Sequence, residues 1–321
     1  MDSTTNNNKP TQTSVYDVVM IGAGPSALAA AVYTTRENLQ TVLYEKAVIG
    51  GLAAITDKID NYPGFADGVA GLDLAEQLQR QAERFGAQIE LGEVSSLRKD
   101  GNDTIVTVDG QDVRARAVLI ATGSAYNKLG IPGEDALYGR GVHYCATCDG
   151  AFYKGKRLVV IGGGNSGLQE AMFLTRFAEH IDLLVRSTIK ASEILQNDLQ
   201  PFIERGQISV HLHTESTEII AEDGKVTGIA AISNGQPTTF ACDGVFVFVG
   251  LKPNTGFLQG TPVQLDERGL IITNEHLETT MPGVFASGDV RSGATMQIAT
   301  AVGEGATAAL SIREYIQQHK V

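Results

Sequence analysis

"YDVVMIGAGPSALAAAVYTTREN", residues 16–38, reads as an apolar strand, a glycine turn and an alanine-rich helix. It decides the fold because it occurs twice. The second copy is "RLVVIGGGNSGLQEAMFLTRFAE", residues 157–179, in which Ile161-Gly162 stands in register with Ile21-Gly22. A glycine turn between strand and helix lets the backbone approach a pyrophosphate, whose charge meets the exposed N–H groups of the helix N-terminus. Each copy is followed by a hairpin signal, Asp109-Gly110 in the first and Asn234-Gly235 in the second. After each hairpin comes an apolar strand ending in glycine, "AVLIATG" to Gly123 and "GVFVFVG" to Gly250. The chain therefore reads as a duplicated α/β, Rossmann-like dinucleotide-binding fold.

A length of 321 residues suits two such domains. The formal net charge of −12 opposes nucleic acid and anionic membrane as partners. The longest apolar stretches, such as Val245–Val249, fall far short of the roughly 18 residues that cross a bilayer. With 3 cysteines the chain is not a disulfide-rich secreted scaffold. Residues 1–14, "MDSTTNNNKPTQTS", are polar and lack the apolar core of a signal peptide, which points to a disordered tail on a soluble, cytoplasmic protein.

Residues 251–321 carry no fingerprint of their own and must complete one of the two units. Periodicity leaves open which unit receives the strand-like "GVFASGD" and the alanine-rich helix from about Gln297 to Gln317. Between the first fingerprint and its hairpin, "GLDLAEQLQRQAERFG" places Leu74, Leu78, Ala82 and Phe85 on one helical face. Asp73 with Glu76 resembles a capping box, and Gly86 is a good stop.

In the first fingerprint, Gly22, Gly24 and Ala27 form G-x-G-x-x-A, and Glu45 ends the next strand "TVLYE" about 20 residues on. A carboxylate there accepts hydrogen bonds from ribose hydroxyls and repels a 2′-phosphate, so the expected ligand is FAD or NAD. The second fingerprint is Gly162, Gly164 and Gly167. Its following strand, "IDLLV", ends in Arg186, with Ser187 and Lys190 after it and no acid. Cations at that point suit the 2′-phosphate of NADP.

Cys145 and Cys148 lie in "HYCATCDG", residues 143–150, just before the second fingerprint. A C-x-x-C beside a βαβ pattern points to redox exchange, because the two sulfurs can close a small ring. If Cys145 opens a helical turn, the helix N-terminus favours its thiolate and makes it the attacking sulfur. Asp149 is placed to exchange a proton with a leaving thiolate. Zinc on His143, Cys145 and Cys148 is the rival reading, but structural zinc takes four ligands and no second C-x-x-C exists. Cys242 reads as a small buried hydrophobe and His143 as a local packing or hydrogen-bonding residue.

Together these segments resemble the low-molecular-weight thioredoxin reductases, from about Tyr16 to the C-terminus. The resemblance is carried by "GAGPSA", "DNYPGF", "ATG", "CATCDG", "GGGNSG" and "GVFASGD". It implies two Rossmann-like (three-layer ββα) domains, the second inserted in the first: residues 15–123 and 250–321 binding FAD, and 124–249 binding NADPH (or NADH) and carrying the redox disulfide. It also implies a homodimer, rotation about linkers near Gly123 and Gly250, and thioredoxin or a thioredoxin-like protein as electron acceptor. Carried onto matching positions, FAD is held by Gly22, Gly24, Ala27, Glu45, Gly51, Asn61, Gly123, Gly288, Asp289 and Gln297. The nicotinamide nucleotide is held by Gly162, Gly164, Gly167, Arg186 and Lys190. Cys148 faces the flavin, Cys145 attacks the partner's disulfide, Asp149 moves the proton, and no metal is used.

The chain departs from this pattern at three places. Gly50-Gly51-Leu52 replaces the usual Gly-Gly-Gln; Val185, Arg186, Ser187 and, one residue short, Lys190 replace a phosphate clamp of one His and three Arg; and Met296-Gln297 replaces Arg-Gln. The thinner clamp leaves open a donor or acceptor other than NADPH: NADH, ferredoxin or a second flavin. A third reading is a redox-sensing flavoprotein that signals through the disulfide.

Overall fold

The computed structural model describes residues 15–56, 58–59 and 61–319, and the expected tail at 1–14 lies outside the described residues, as do the side chains of Lys58, Thr147 and Cys148. The chain divides into two compact units, Met1–Ser124 with Pro253–Val321, and Ala125–Lys252. Both are mixed α/β with a parallel sheet at the centre.

In the first unit the sheet is organised by the ten-residue strand Gln111–Ile120. Its second half pairs in parallel with Tyr16–Ile21 on one side and with Val284–Ala286 on the other. Its first half pairs antiparallel with Asp103–Val108, which pairs in turn with Val94–Asp100. Strands Thr41–Glu45 and Gln88–Leu91 extend the parallel side beyond Tyr16–Ile21. One face of the sheet, with Val18, Met20, Leu43 and Leu119, packs on helices Pro25–Arg36, Gly71–Arg84 and Ile298–Gln318. The other, with Val19, Ile21, Val118 and Ile120, packs under the antiparallel strands and the chain around Leu258 and Ile271. The "GVFASGD" strand and the last helix thus complete the first unit, which periodicity had left undecided.

The last helix lies against the first so closely that a Cβ on Gly305 would stand 2.1 Å from the Ser26 carbonyl oxygen. The alanines at 27 and 29–31 allow that approach, and Ala27, Ala30 and Ala31 are fully buried. The helix after residue 70 corrects one sequence expectation. It starts at Gly71, with extended Ala70 before it and no side-chain cap, so Asp73 and Glu76 form no capping box. The physical reason is a backbone contact. Gly71 N–H donates to Thr56 O at 3.1 Å, and a Cβ there would stand 2.0 Å from Ala53 O, so the 53–56 turn sets the helix entry in place of a carboxylate. Leu74 and Ala82 are buried as the periodicity requires, and Gly86 ends the helix at φ +100°.

The second unit repeats the plan. Five parallel strands run in the order Val142–His143, Gly244–Val247, Arg157–Ile161, His180–Leu184, Ile208–His211. Helices Asn165–Leu174 and Glu193–Glu204 cover one face, around Leu168, Leu174 and Phe246. The antiparallel strands Thr214–Glu222, Lys225–Ser233 and Gln236–Ala241 cover the other, around Ile229 and Val245. Both foreseen hairpin turns form with two left-handed residues, Asp109-Gly110 at φ 46° and 77° and Asn234-Gly235 at 50° and 80°. Asp223-Gly224, at 50° and 74°, is a third such turn in the same antiparallel sheet, with an equally legible signal. Among the described residues no helix is long and apolar enough to cross a membrane.

Candidate functional site

The first glycine turn follows Tyr16–Ile21. Gly22 sits at φ +96° and its N–H donates to Tyr44 O at 2.8 Å; a Cβ there would stand 2.6 Å from Ala121 O. Only glycine fits where these strand ends converge. Gly24 has the opposite surroundings. It is the extended residue before helix Pro25–Arg36, no side chain caps the helix, and an added Cβ meets nothing within 4 Å. The first-turn N–H groups are thus left for an anion. Ala27 is fully buried.

Glu45 is fixed by two backbone donors, with Ala23 N–H on Oε2 at 2.8 Å and Ala47 N–H on Oε1 at 2.9 Å. It is therefore tied directly to the turn it was expected to serve. Gly50 N–H donates to Ala23 O at 2.8 Å, and a Cβ on Gly51 would lie 3.7 Å from Gly24 Cα, so Gly51 borders the same opening. Gly288 is next to the start of that helix, where Ser26 and Ser287 share a 2.6 Å hydrogen bond. Asn61 Nδ2 donates to Gln297 Oε1 at 2.9 Å, which joins two positions distant in sequence at the start of the last helix. Gly123, at φ +61°, accepts Asn254 N–H at 3.0 Å, and Asn254 exchanges two 2.8 Å hydrogen bonds with Thr122.

Glu304 was not foreseen. It accepts Gly288 N–H at 2.8 Å and holds Arg291 through both oxygens, at 2.5 and 3.1 Å, so a half-buried ion pair fixes the Gly288-Asp289 turn. Burial, and then the charge of Glu304, push the Asp289 carboxyl above the ordinary carboxylate value. The available signal was a lone carboxylate among the small residues of "AVGEGATAA".

In the second unit the corresponding turn opens on a cavity of about 580 Å³, lined by Gly162, Gly164, Ser166, Arg186 and Lys190 among others. Gly162 is needed for clearance, with a Cβ only 2.3 Å from Phe248 O, and Gly167 for packing, 2.3 Å from Gly162 O, whereas Gly164 faces open space. Lys190 is in place partly through its backbone, since its N–H donates to Gly163 O at 2.7 Å. Asn127, Lys128 and Glu215 also line this cavity and were not anticipated; Lys128 is paired with Asp135 at 2.7 Å. They come from segments remote from the fingerprint.

Cys145 takes part in a disulfide, while Cys242 is a free, buried thiol. Cys145 precedes the one-turn helix Ala146–Asp149, which Asp149 N–H closes onto Cys145 O at 3.2 Å. In this state the Cys145 sulfur is not the thiolate that a zinc ion would require. Desolvation pushes the Cys242 thiol up to about 12, consistent with an inert core residue. The Asp149 carboxylate lies 3.1 Å from His143 Nδ1, and His143 Nε2 lies 2.7 Å from the Tyr153 hydroxyl.

A family model for pyridine nucleotide-disulphide oxidoreductases matches residues 16–305. The thioredoxin reductase of Bacillus subtilis (strain 168) is 39% identical over 307 residues, covering 95% of this chain and 96% of that protein. The thioredoxin reductase of Listeria innocua is 39% identical over 309 residues, covering 95% of each. The crystal structure of thioredoxin reductase from Streptococcus pyogenes aligns with a TM-score of 0.85 at 37% identity, over 95% of this chain and 99% of that one. The protein is an oxidoreductase that belongs to the pyridine nucleotide-disulphide oxidoreductase family.

Proposed function

We propose that the protein is a thioredoxin-disulfide reductase, with FAD as the two-electron relay between NADPH and a Cys145–Cys148 disulfide that reduces thioredoxin or a thioredoxin-like protein. The observation that carries this reading is the disulfide of Cys145 at the head of a helical turn, in the unit whose glycine turn opens on a large cavity.

The residues of the first unit fit an adenine dinucleotide. Gly24 and Gly51 leave room where a pyrophosphate would lie, and Glu45, already held by two N–H groups, offers its remaining lone pairs to ribose hydroxyls. Gly22, Ala27, Gly123, Gly288, Asp289, Asn61 and Gln297 complete the set we assign to FAD. In the second unit, Gly162, Gly164 and Gly167 accommodate the second dinucleotide, and Arg186 and Lys190 meet its 2′-phosphate. Two cations are fewer than a full clamp, and Glu215 on the same cavity opposes them, so the discrimination against NADH is modest.

We assign residues 15–123 and 250–321 to the FAD domain and 124–249 to the nicotinamide domain, in a cytoplasmic homodimer. Rotation about linkers near Gly123 and Gly250 then lets one disulfide meet the flavin and the protein partner in turn. Cys145, favoured as thiolate at its helix start, attacks the partner; Cys148 resolves the mixed disulfide; Asp149 moves the proton.

The test is Cys145→Ser in the flavin-loaded enzyme. Bleaching of the flavin by NADPH persists while thioredoxin reduction disappears. Thioredoxin reduction that continues in this variant refutes the assigned nucleophile.

A further inference from the structure

His143 stands two residues before Cys145 on the short strand Val142–His143, in register with Phe246 of the neighbouring strand. Its ring is held between two aromatic neighbours. It stacks on Phe246 with centroids 5.1 Å apart and 28° between planes, and it meets Tyr153 edge-on at 5.4 Å and 74°; Tyr153 itself meets Phe246 edge-on at 5.6 Å. The side chain is 7% exposed and that of Asp149 is 15% exposed. Such a ring cannot swing away from either partner.

The hydrogen bonds dictate the ring's tautomer. A carboxylate can only accept, so Nδ1 carries the proton given to Asp149 at 3.1 Å, and neutral Nε2 accepts the Tyr153 O–H at 2.7 Å. If the ring gains a proton, Nε2 donates and the same phenol oxygen accepts. Both charge states of the ring are therefore satisfied without movement. The phenols and the thiol around the pair stay protonated near neutrality. Desolvation keeps the Tyr153 phenol up at about 12 and the Cys242 thiol up at about 12, and burial also raises Tyr138. Asp243 is engaged by Lys156 at 3.2 Å and by the Arg157 N–H at 3.0 Å.

We propose that His143 is a positioning residue for Asp149. It fixes the carboxylate of Asp149, the residue that follows Cys148 in sequence, and, with Tyr153 behind it, forms a relay through which Asp149 accepts and returns the proton moved in thiol–disulfide exchange. The proposal rests on the reductase reading above. In the exchange the Cys145 thiol loses its proton to Asp149, and its sulfur attacks and breaks the partner's S–S bond. The departing partner sulfur takes that proton. Cys148 then displaces the partner's second sulfur, which leaves with the Cys148 proton as the enzyme disulfide closes. Two thiol protons and one electron pair pass from enzyme to partner, and none is left over.

The experiment compares wild type, His143→Phe, His143→Asn and Tyr153→Phe as flavin-loaded enzymes. Three kinds of measurement are made: kcat and KM for thioredoxin from pH 5 to 9, the pH dependence of iodoacetamide labelling at Cys145 after dithiothreitol reduction, and flavin bleaching by NADPH. His143→Phe keeps the stacking and loses both hydrogen bonds, so kcat falls about 10-fold or more with KM and bleaching unchanged. Its Cys145 labelling midpoint moves by about 0.5 pH unit or more. His143→Asn restores a donor at the Nδ1 position and recovers kcat to within about 3-fold, with a pH profile that departs from that of wild type. Tyr153→Phe gives an intermediate loss. Wild-type kcat and pH profile in His143→Phe overturn the proposal, as do unaltered profiles in His143→Asn and Tyr153→Phe if His143→Phe does not fold. A wild type that bleaches but never reduces thioredoxin counts against the reductase reading, and the labelling profiles then decide the His143 question alone.

Discussion

The two glycine turns are built alike and finished differently. In each, one glycine is demanded by the backbone, Gly22 against Ala121 O and Gly162 against Phe248 O, and the next but one, Gly24 or Gly164, faces open space. The difference lies at the end of the following strand. The first copy has Glu45, held by two backbone N–H groups; the second has Arg186, with Lys190 folded back onto Gly163. One scaffold thus ends the strand after its turn in opposite charges, and on the function proposed above the sign of that charge selects for or against a 2′-phosphate.

The largest expected effects test the shared part. Gly22→Ala and Gly162→Ala each force a residue with Cβ into a left-handed backbone and against a carbonyl oxygen, so each destabilises its unit by about 3 kcal/mol. Gly164→Ala, in open space, costs well under 1 kcal/mol, all three variants being compared by chemical denaturation. Equal losses at Gly162 and Gly164 break the comparison. Next comes the acid of the first turn. Glu45→Gln loses charge-assisted hydrogen bonds of about 1.5–3 kcal/mol, and flavin affinity, measured by fluorescence on reconstitution, falls about 10- to 100-fold. The cation of the second turn is worth less because it is exposed. Arg186→Ala raises KM for NADPH about 3- to 10-fold and leaves KM for NADH unchanged; an equal rise for both sharpens the comparison by removing Arg186 from phosphate recognition.

The smallest effect concerns Asp289. Burial raises its carboxyl in the folded state, so between the ordinary carboxylate value and the folded one the unfolded chain has released a proton that the folded chain still holds. Flavin-free protein should lose stability as pH rises through that window. Asp289→Asn removes this slope, and thermal melts from pH 4 to 7 show whether it does.

Local spacing made much of this legible. The strand–turn–helix copies, both hairpin turns, Gly86 as a helix stop and the buried Cys242 follow from periods and turn chemistry within a few residues. The capping box at Asp73 failed because a tertiary contact, Gly71 against the 53–56 turn, set the helix start before a side chain could. Glu304 stayed hidden because its partners Gly288 and Arg291 lie 16 and 13 residues away, outside any local period, and the Asn61–Gln297 bond and the cavity-lining Lys128 and Glu215 because each joins segments far apart along the chain. His143 read as a local packing or hydrogen-bonding residue, as its stacking on Phe246 and its bonds to Asp149 and Tyr153 bear out, but its partners were not legible. Its bond to Asp149 depends on a strand pairing with Phe246 that sequence does not reveal.

What the sequence alone determined was the kind of chemistry: two dinucleotide turns, their opposite terminal charges, and a pair of cysteines spaced to close a ring. These depend on residue type and short spacing, which the chain carries wherever it folds. Only the tertiary structure decided that residues 284–286 and the last helix complete the first unit, and that a buried histidine stands between Asp149 and Tyr153. Strand order and side-chain approach are set by packing between distant segments, and no local pattern encodes them.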